Sequence, residues 1–178
     1  MNKLAFLTLL ALAFAVSSCG NSSTSTTTTT QATGLWEAQL TGGTEEASKL
    51  NFTTQFTVTN SGPLDITGFA FFNSSACFAT GLNAENASGS ADFTTSSTNQ
   101  VTGTLNLTVN SINPAGNSLV LTGNLTGTSN GTTTTTGTLS KGVVAGTWKL
   151  TGGSSCTDSS SLTGNFIMCQ GTATCTVP

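Results

Sequence analysis

The sequence predicts an all-β fold, an antiparallel meander of about 8–10 short strands that closes into a barrel or strongly curved sheet rather than a sandwich. From Gly34 onward apolar residues recur mainly at every second position, which is typical of half-buried strands. Threonine, a good strand former, outnumbers every other residue type. No stretch after Gly34 has the pattern of an amphipathic helix of three turns, so helices are not expected there.

Turn chemistry divides this region into strands. Asn60-Ser61-Gly62-Pro63 and Asn113–Asn117 are rich in turn-forming residues, and Ser129-Asn130-Gly131 and Lys141-Gly142 have the composition of tight hairpin turns. Such short connections let neighbouring strands pair in sequence order, which favours a meander. The threonine run 132–136 is predicted to be an exposed edge strand or a long hairpin arm, because strand-like segments flank it closely.

The composition excludes several classes of function. Charged residues make up 6% of the 178 residues, the net charge is -3, and the chain has no arginine or histidine. Nucleic acid is therefore not an expected partner, since phosphate binding needs clustered Lys or Arg. Without histidine the chain lacks the commonest metal ligand and general base, and we expect no metal site and no cofactor.

The amino-terminal segment has the features of a secretory signal. Lys3 gives it a positive start, and Leu4 to Val16 is apolar except for Thr8. This run is shorter than the roughly 20 residues that a membrane-spanning helix needs. It ends in Val16-Ser17-Ser18-Cys19, which resembles the lipobox of bacterial lipoprotein precursors.

The lipobox resemblance implies a signal peptide over residues 1–18 and a mature chain that starts at Cys19 and is acylated on it. Membrane lipid, reached through acylated Cys19, would be the first partner. The protein would lie in the cell envelope, on the extracytoplasmic side of a membrane. Gly20, in place of the aspartate that often retains lipoproteins at the inner membrane, favours the outer membrane in a host that has one. Residues 19–33 have no charge and no large apolar residue, which indicates a flexible tether. Residues 34–178 then form a single β-domain.

The cysteines fit this interpretation. There are five, and assigning Cys19 to lipid leaves an even set suited to two disulfides. We prefer Cys77 with Cys156 and Cys169 with Cys175, one of three possible connectivities. Neither Cys-x-x-Cys spacing nor a histidine is present, so a structural role is expected.

Four aromatic residues are candidate ligand contacts: Trp36, Phe71, Phe72 and Trp148. Gly34-Leu35-Trp36 and Gly146-Thr147-Trp148 resemble the Gly-x-Trp at the start of lipocalin-like and avidin-like barrels, in which the tryptophan plugs one end. Phe71 and Phe72 are consecutive, so in a strand they point to opposite faces and one of them leaves the main core. Each of the four could equally be a core residue.

Three hypotheses about function remain. The first is a binding or interaction module, with a small apolar ligand in the barrel or an envelope partner on its surface. The second is a purely structural envelope lipoprotein. The third is a hydrolase that works with carboxylates alone, although we expect no enzyme activity. Its candidate carboxylates are Glu37, Glu45, Glu46, Asp65, Glu85, Asp92 and Asp158.

Overall fold

A computed structural model of the chain describes residues 28–42, 49–78, 83–112, 115–132, 134–152 and 161–171, together with Cys175. These residues include nine strands and a 3-10 turn at Ala84–Asn86. In chain order the strands are β1 Thr30–Thr41, β2 Phe52–Thr59, β3 Ser61–Pro63, β4 Asp65–Phe71, β5 Ala87–Thr95, β6 Gln100–Ile112, β7 Ala115–Ser129, β8 Gly137–Thr151 and β9 Ser161–Gln170.

All nine strands belong to one sheet, in the order β3-β5-β6-β7-β8-β9-β1-β2-β4. Each strand is antiparallel to its neighbours in this order. The sheet curls into a nearly closed barrel, which confirms the predicted all-β class and the preference for a barrel. The longest strands, β7 and β8, each have 15 residues and are longer than the short strands expected.

The corner between β2 and β4 brings the two edges of the sheet together. Asn60 has a φ of 51° and turns the chain out of β2, and β3 then pairs with β5, Ser61 opposite Asp92. The amide of Phe93 donates to the carbonyl of Asn60, and that of Leu64 donates to the carbonyl of Gly89. Through these bonds β3 covers the outer edge of β5, so β3 and β4 are the two edge strands of the sheet.

Large side chains fill the barrel interior because glycines stand opposite them. A methyl group added to Gly142 would lie 2.5 Å from the ring of Trp36, and one on Gly164 would lie 2.6 Å from Nε1 of Trp148. One on Gly123 would lie 2.9 Å from the ring of Phe166. Pairing a small inward residue with a large one is a usual way to fill a small barrel.

The two ends of the barrel are closed differently. At the Thr30 end, which we define by Thr30, Thr95 and Ser129, the closing side chains are hydroxyls from β1, β5 and β7. At the Phe71 end the closing side chains are the rings of Phe52, Phe69, Phe71 and Phe78.

Further sequence expectations differ from the structure. Residues 30–33, assigned to the tether, are the first residues of β1, because they pair with β2 at Gln31–Thr59 and with β8 at Thr30–Gly137. Lys141-Gly142 is not a turn: both lie within β8, in a bulge opposite Gly127, with Lys141 at a φ of 54°. Thr132 and Thr135 form an isolated bridge in the connection between β7 and β8, outside the named strands.

Candidate functional site

The four aromatic candidates do not form one site. Trp36 and Trp148 are fully buried, on β1 and β8. Phe71 is half-buried and Phe72 is 50% exposed, so the two consecutive phenylalanines do face opposite ways. Among the ring contacts of the described residues, none joins either tryptophan to Phe71 or Phe72.

Trp36 lies in the barrel interior with its indole N–H unsatisfied. Its ring stacks on Phe56 with centroids 5.2 Å apart and planes 14° apart. The bulge at Gly142 makes room for the far edge of the ring, and the Gln170 side chain holds the bulge in place by accepting from the Gly142 amide at 3.1 Å. Nε1 is buried and donates to no residue of the described chain. A buried donor without an acceptor costs about 1–3 kcal/mol.

Trp148 has the same Gly-x-Trp context and a satisfied N–H. Its Nε1 donates to the backbone carbonyl of Thr41 at 3.0 Å, and its ring lies against Gly164. This bond ties β8 to the end of β1 across the intervening strand β9. Trp148 is therefore a core residue that also fixes the position of a strand end.

The Phe71 end is a connected aromatic cluster. Phe69 and Phe71 contact each other edge to face at 5.1 Å, and Phe78 tilts onto Phe71 at 4.9 Å. Phe78 and Cys77 are buried within the connection that follows β4, and Asn117 Nδ2 donates to the Cys77 carbonyl at 2.8 Å. Phe71 is thus partly buried and packs against the core beneath this connection.

The Thr30 end is a buried hydrogen-bonded cluster. Thr30 Oγ1 bonds to Thr95 Oγ1 at 2.8 Å and to Ser129 Oγ at 2.7 Å. Ser129 Oγ also accepts from the Gly131 amide, and the Thr30 amide donates to Asn60 Oδ1 at 2.8 Å. Buried hydroxyls are stable only when bonded in this way. Nothing in the sequence distinguishes these three from the many other Ser and Thr residues.

The predicted Cys169–Cys175 disulfide is present. Its Cα atoms are 5.6 Å apart, and it closes the turn at Gly171, which has a φ of 85°. Cys77 is also disulfide-bonded. Its predicted partner Cys156, and the lipidation site Cys19, lie outside the described residues, so those two assignments stay predictions.

The outer surface of β6 and β7 is a regular array of polar side chains that the sequence analysis did not single out. We call it the threonine face and define it by Thr102, Thr104, Asn106, Thr122, Asn124 and Thr126. All six side chains are exposed, and they pair directly across the two strands. The threonine face could have been found in the sequence from the polar residues that alternate with Leu105 and Leu125.

The described carboxylates are dispersed. Glu37, Asp65, Glu85 and Asp92 lie on β1, on β4, in the 3-10 turn and on β5. Within the described part of the chain, no group of three or more Cys, Asp or Glu residues could hold a metal ion. No helix among those residues is long and apolar enough to cross a membrane.

Comparison of the chain with protein-family models, with curated proteins and with solved structures found no match in any of the three. The function of the chain is therefore inferred from its own residues.

Proposed function

We propose that the chain is a lipid-anchored protein of the bacterial cell envelope whose barrel is a solid interaction module that acts through its outer surface. The claim that the barrel is solid rests on two contacts. Trp36 lies against Gly142, and Trp148 lies against Gly164. Both rings occupy space that a ligand-carrying barrel would leave for its ligand.

Other interior contacts support a solid module. The largest fully buried side chains include Phe52, Phe56 and a set of leucines, among them Leu105, Leu121 and Leu125. Packed interiors of this kind gain roughly 25 cal/mol per Å² of apolar surface removed from water. Admitting an apolar ligand would require displacing these side chains, so the version of the binding hypothesis with a ligand inside the barrel is disfavoured.

The anchor part of the proposal rests on the lipobox ending at Cys19. The start of β1 supports a defined orientation of the barrel relative to this anchor. Thr28 is already buried there, and the Thr29 carbonyl accepts from the Gly137 amide at 2.8 Å. A tether from Cys19 would therefore reach the barrel at its Thr30 end. That end would face the lipid, and the Phe71 end would point away from it.

Mass spectrometry of the mature protein from its host tests the anchor. We expect an amino terminus at Cys19 that carries acyl groups, because two or three acyl chains hold a protein stably on a membrane. Cys19→Ser should leave the chain unacylated, with residues 1–18 still attached, whereas Asn21→Ser, two residues away, should change neither property. An unmodified amino terminus downstream of Cys19 in the wild-type protein would contradict the proposal.

The second candidate is a purely structural envelope lipoprotein. The observation that favours it is the solid interior combined with an outer surface of few charges. One measurement separates the two candidates. An interaction module binds a partner and loses that binding when its surface is altered, whereas a structural module has no such binding to lose.

A further inference from the structure

We propose that the threonine face binds a neutral polysaccharide. This inference rests on the proposed function, since it names the class of partner that the outer surface of the barrel would take. It starts from six exposed side chains that stand in three cross-strand pairs: Thr102 with Thr126, Thr104 with Asn124, and Asn106 with Thr122.

The hydrogen-bonding groups of this face are unused. None of the six side chains bonds to another residue of the described chain, although other exposed hydroxyls do. On the same barrel Ser96 bonds to Thr98 at 3.0 Å and Thr132 bonds to Thr135 at 2.8 Å. The threonine face therefore presents its donors and acceptors to whatever lies outside.

The spacing of these groups is set by the sheet. Neighbouring strands lie about 4.8 Å apart, and side chains on one face recur roughly every 6.8 Å along a strand. Thr94 of β5 and Thr147 of β8 extend the array on its two sides, opposite Thr102 and Thr122. A polymer lying across it could therefore meet several hydroxyl and amide groups at once.

The chemistry of the face selects a neutral polyhydroxyl partner. A threonine hydroxyl both donates and accepts, and an asparagine amide does so with separate atoms, as the hydroxyls of a sugar require. The six residues include no charged side chain, although Asp92 pairs with Thr104 and Lys149 pairs with Val120 at the border of the face. The six residues include no positive cluster for an anionic polymer, and the apolar side chain next to them on β7, Val120, is 37% exposed and too small to hold a lipid.

Each hydrogen bond of this kind is weak. Anchoring many chains on one membrane lets them bind the same polymer together. Many copies held on one membrane surface raise the effective concentration of binding faces along a single polymer. We therefore expect weak binding by one chain and strong retention of a membrane that carries many chains.

The test uses phosphatidylcholine vesicles that carry the full mature chain. The vesicles are mixed with insoluble cellulose, starch granules and β-1,3-glucan, and the sedimented lipid is measured. We expect at least one glycan to sediment the loaded vesicles at least tenfold more than empty ones, with no loss on raising salt, because no charge takes part. Failure to sediment with all three glycans, or loss of binding in salt, would overturn the proposal.

A matched pair of variants locates the binding surface. Thr122→Lys with Thr126→Lys puts two charges on the threonine face, and Gln55→Lys with Thr59→Lys puts two charges at the same spacing on exposed positions of β2. We expect the first variant to lose at least tenfold in sedimentation and the second to keep wild-type sedimentation. Equal loss in both would refute the threonine face as the site. Fluorescence of the buried Trp36 and Trp148 checks that both variants are folded.

The two proposals can fail separately. If the chain does not float with the vesicles, the lipid anchor is wrong, and glycan binding is then measured by sedimentation of the free chain at high concentration with the same two variants. If the loaded vesicles float but no glycan retains them, the anchor stands and the threonine face proposal is wrong.

Discussion

The two ends of the barrel are closed by different forces. Four phenylalanine rings and the buried Cys77 close the Phe71 end, where the gain comes from apolar area and depends little on exact direction. Three hydroxyls close the Thr30 end, where each bond requires a fixed distance and angle. The directional closure occurs where the chain enters β1, so it would fix the orientation of the barrel on the proposed tether.

The largest expected effect lies at the Phe71 end. Phe52 is fully buried and contacts the rings of both Phe69 and Phe71. Phe52→Ala should lower the free energy of unfolding by about 3–5 kcal/mol, because it removes apolar contacts and leaves a cavity. Phe72→Ala, at a side chain that is 50% exposed, should change it by less than about 0.5 kcal/mol. Urea denaturation measures both, and similar losses would show that the end is not closed by ring packing.

A smaller effect is expected at the Thr30 end. Thr30→Val keeps the volume of the side chain but removes the oxygen that bonds to Thr95 and Ser129. The expected loss in the free energy of unfolding is about 1–2 kcal/mol, since buried partners lose a hydrogen bond. Thr33→Val is the control, because Thr33 makes one half-buried bond to Thr57 and should cost about 0.5 kcal/mol. Thermal unfolding that ranks the two variants in the opposite order would contradict the role of the cluster.

The smallest effect separates the two tryptophans. Trp148→Phe removes the bond from Nε1 to the Thr41 carbonyl, whereas Trp36→Phe removes an N–H that has no acceptor in the described chain. Both variants lose similar ring volume, so Trp148→Phe should be less stable than Trp36→Phe by about 1 kcal/mol, the net contribution of one hydrogen bond. Denaturant midpoints at equal m-values would measure the difference, and an equal or larger cost for Trp36→Phe would refute it.

The parts of the fold that depend on local patterns could be predicted from the sequence. Leu119, Leu121 and Leu125 are buried on β7, with exposed residues between them, as period-two alternation requires. The Cys169–Cys175 pair reflects short spacing across a turn at Gly171. Both depend on residues close in sequence.

The remaining features depend on residues far apart in sequence. Thr30 and Ser129 are 99 positions apart, and no local pattern marks either as a partner of the other. Lys141-Gly142 has the composition of a turn but forms a bulge. The reason is Trp36, on another strand, which occupies the space beside Gly142. The three-residue strand β3 is too short to show any periodicity, yet its pairing with β5 brings the sheet edges together.

The claim that the barrel is solid and works from its outside can be tested by ligand titration. A fluorescent fatty acid, an apolar dye and benzene are added in turn to the full mature chain in detergent-free vesicles, and the fluorescence of Trp36 and Trp148 is followed. Phe166→Ala, which should open space beside Gly123, is the positive control, because apolar cavities of this kind bind small aromatic molecules such as benzene. We predict no saturable binding by the wild-type chain and benzene binding by the variant. Saturable one-to-one binding that quenches the tryptophans of the wild-type chain would contradict the claim.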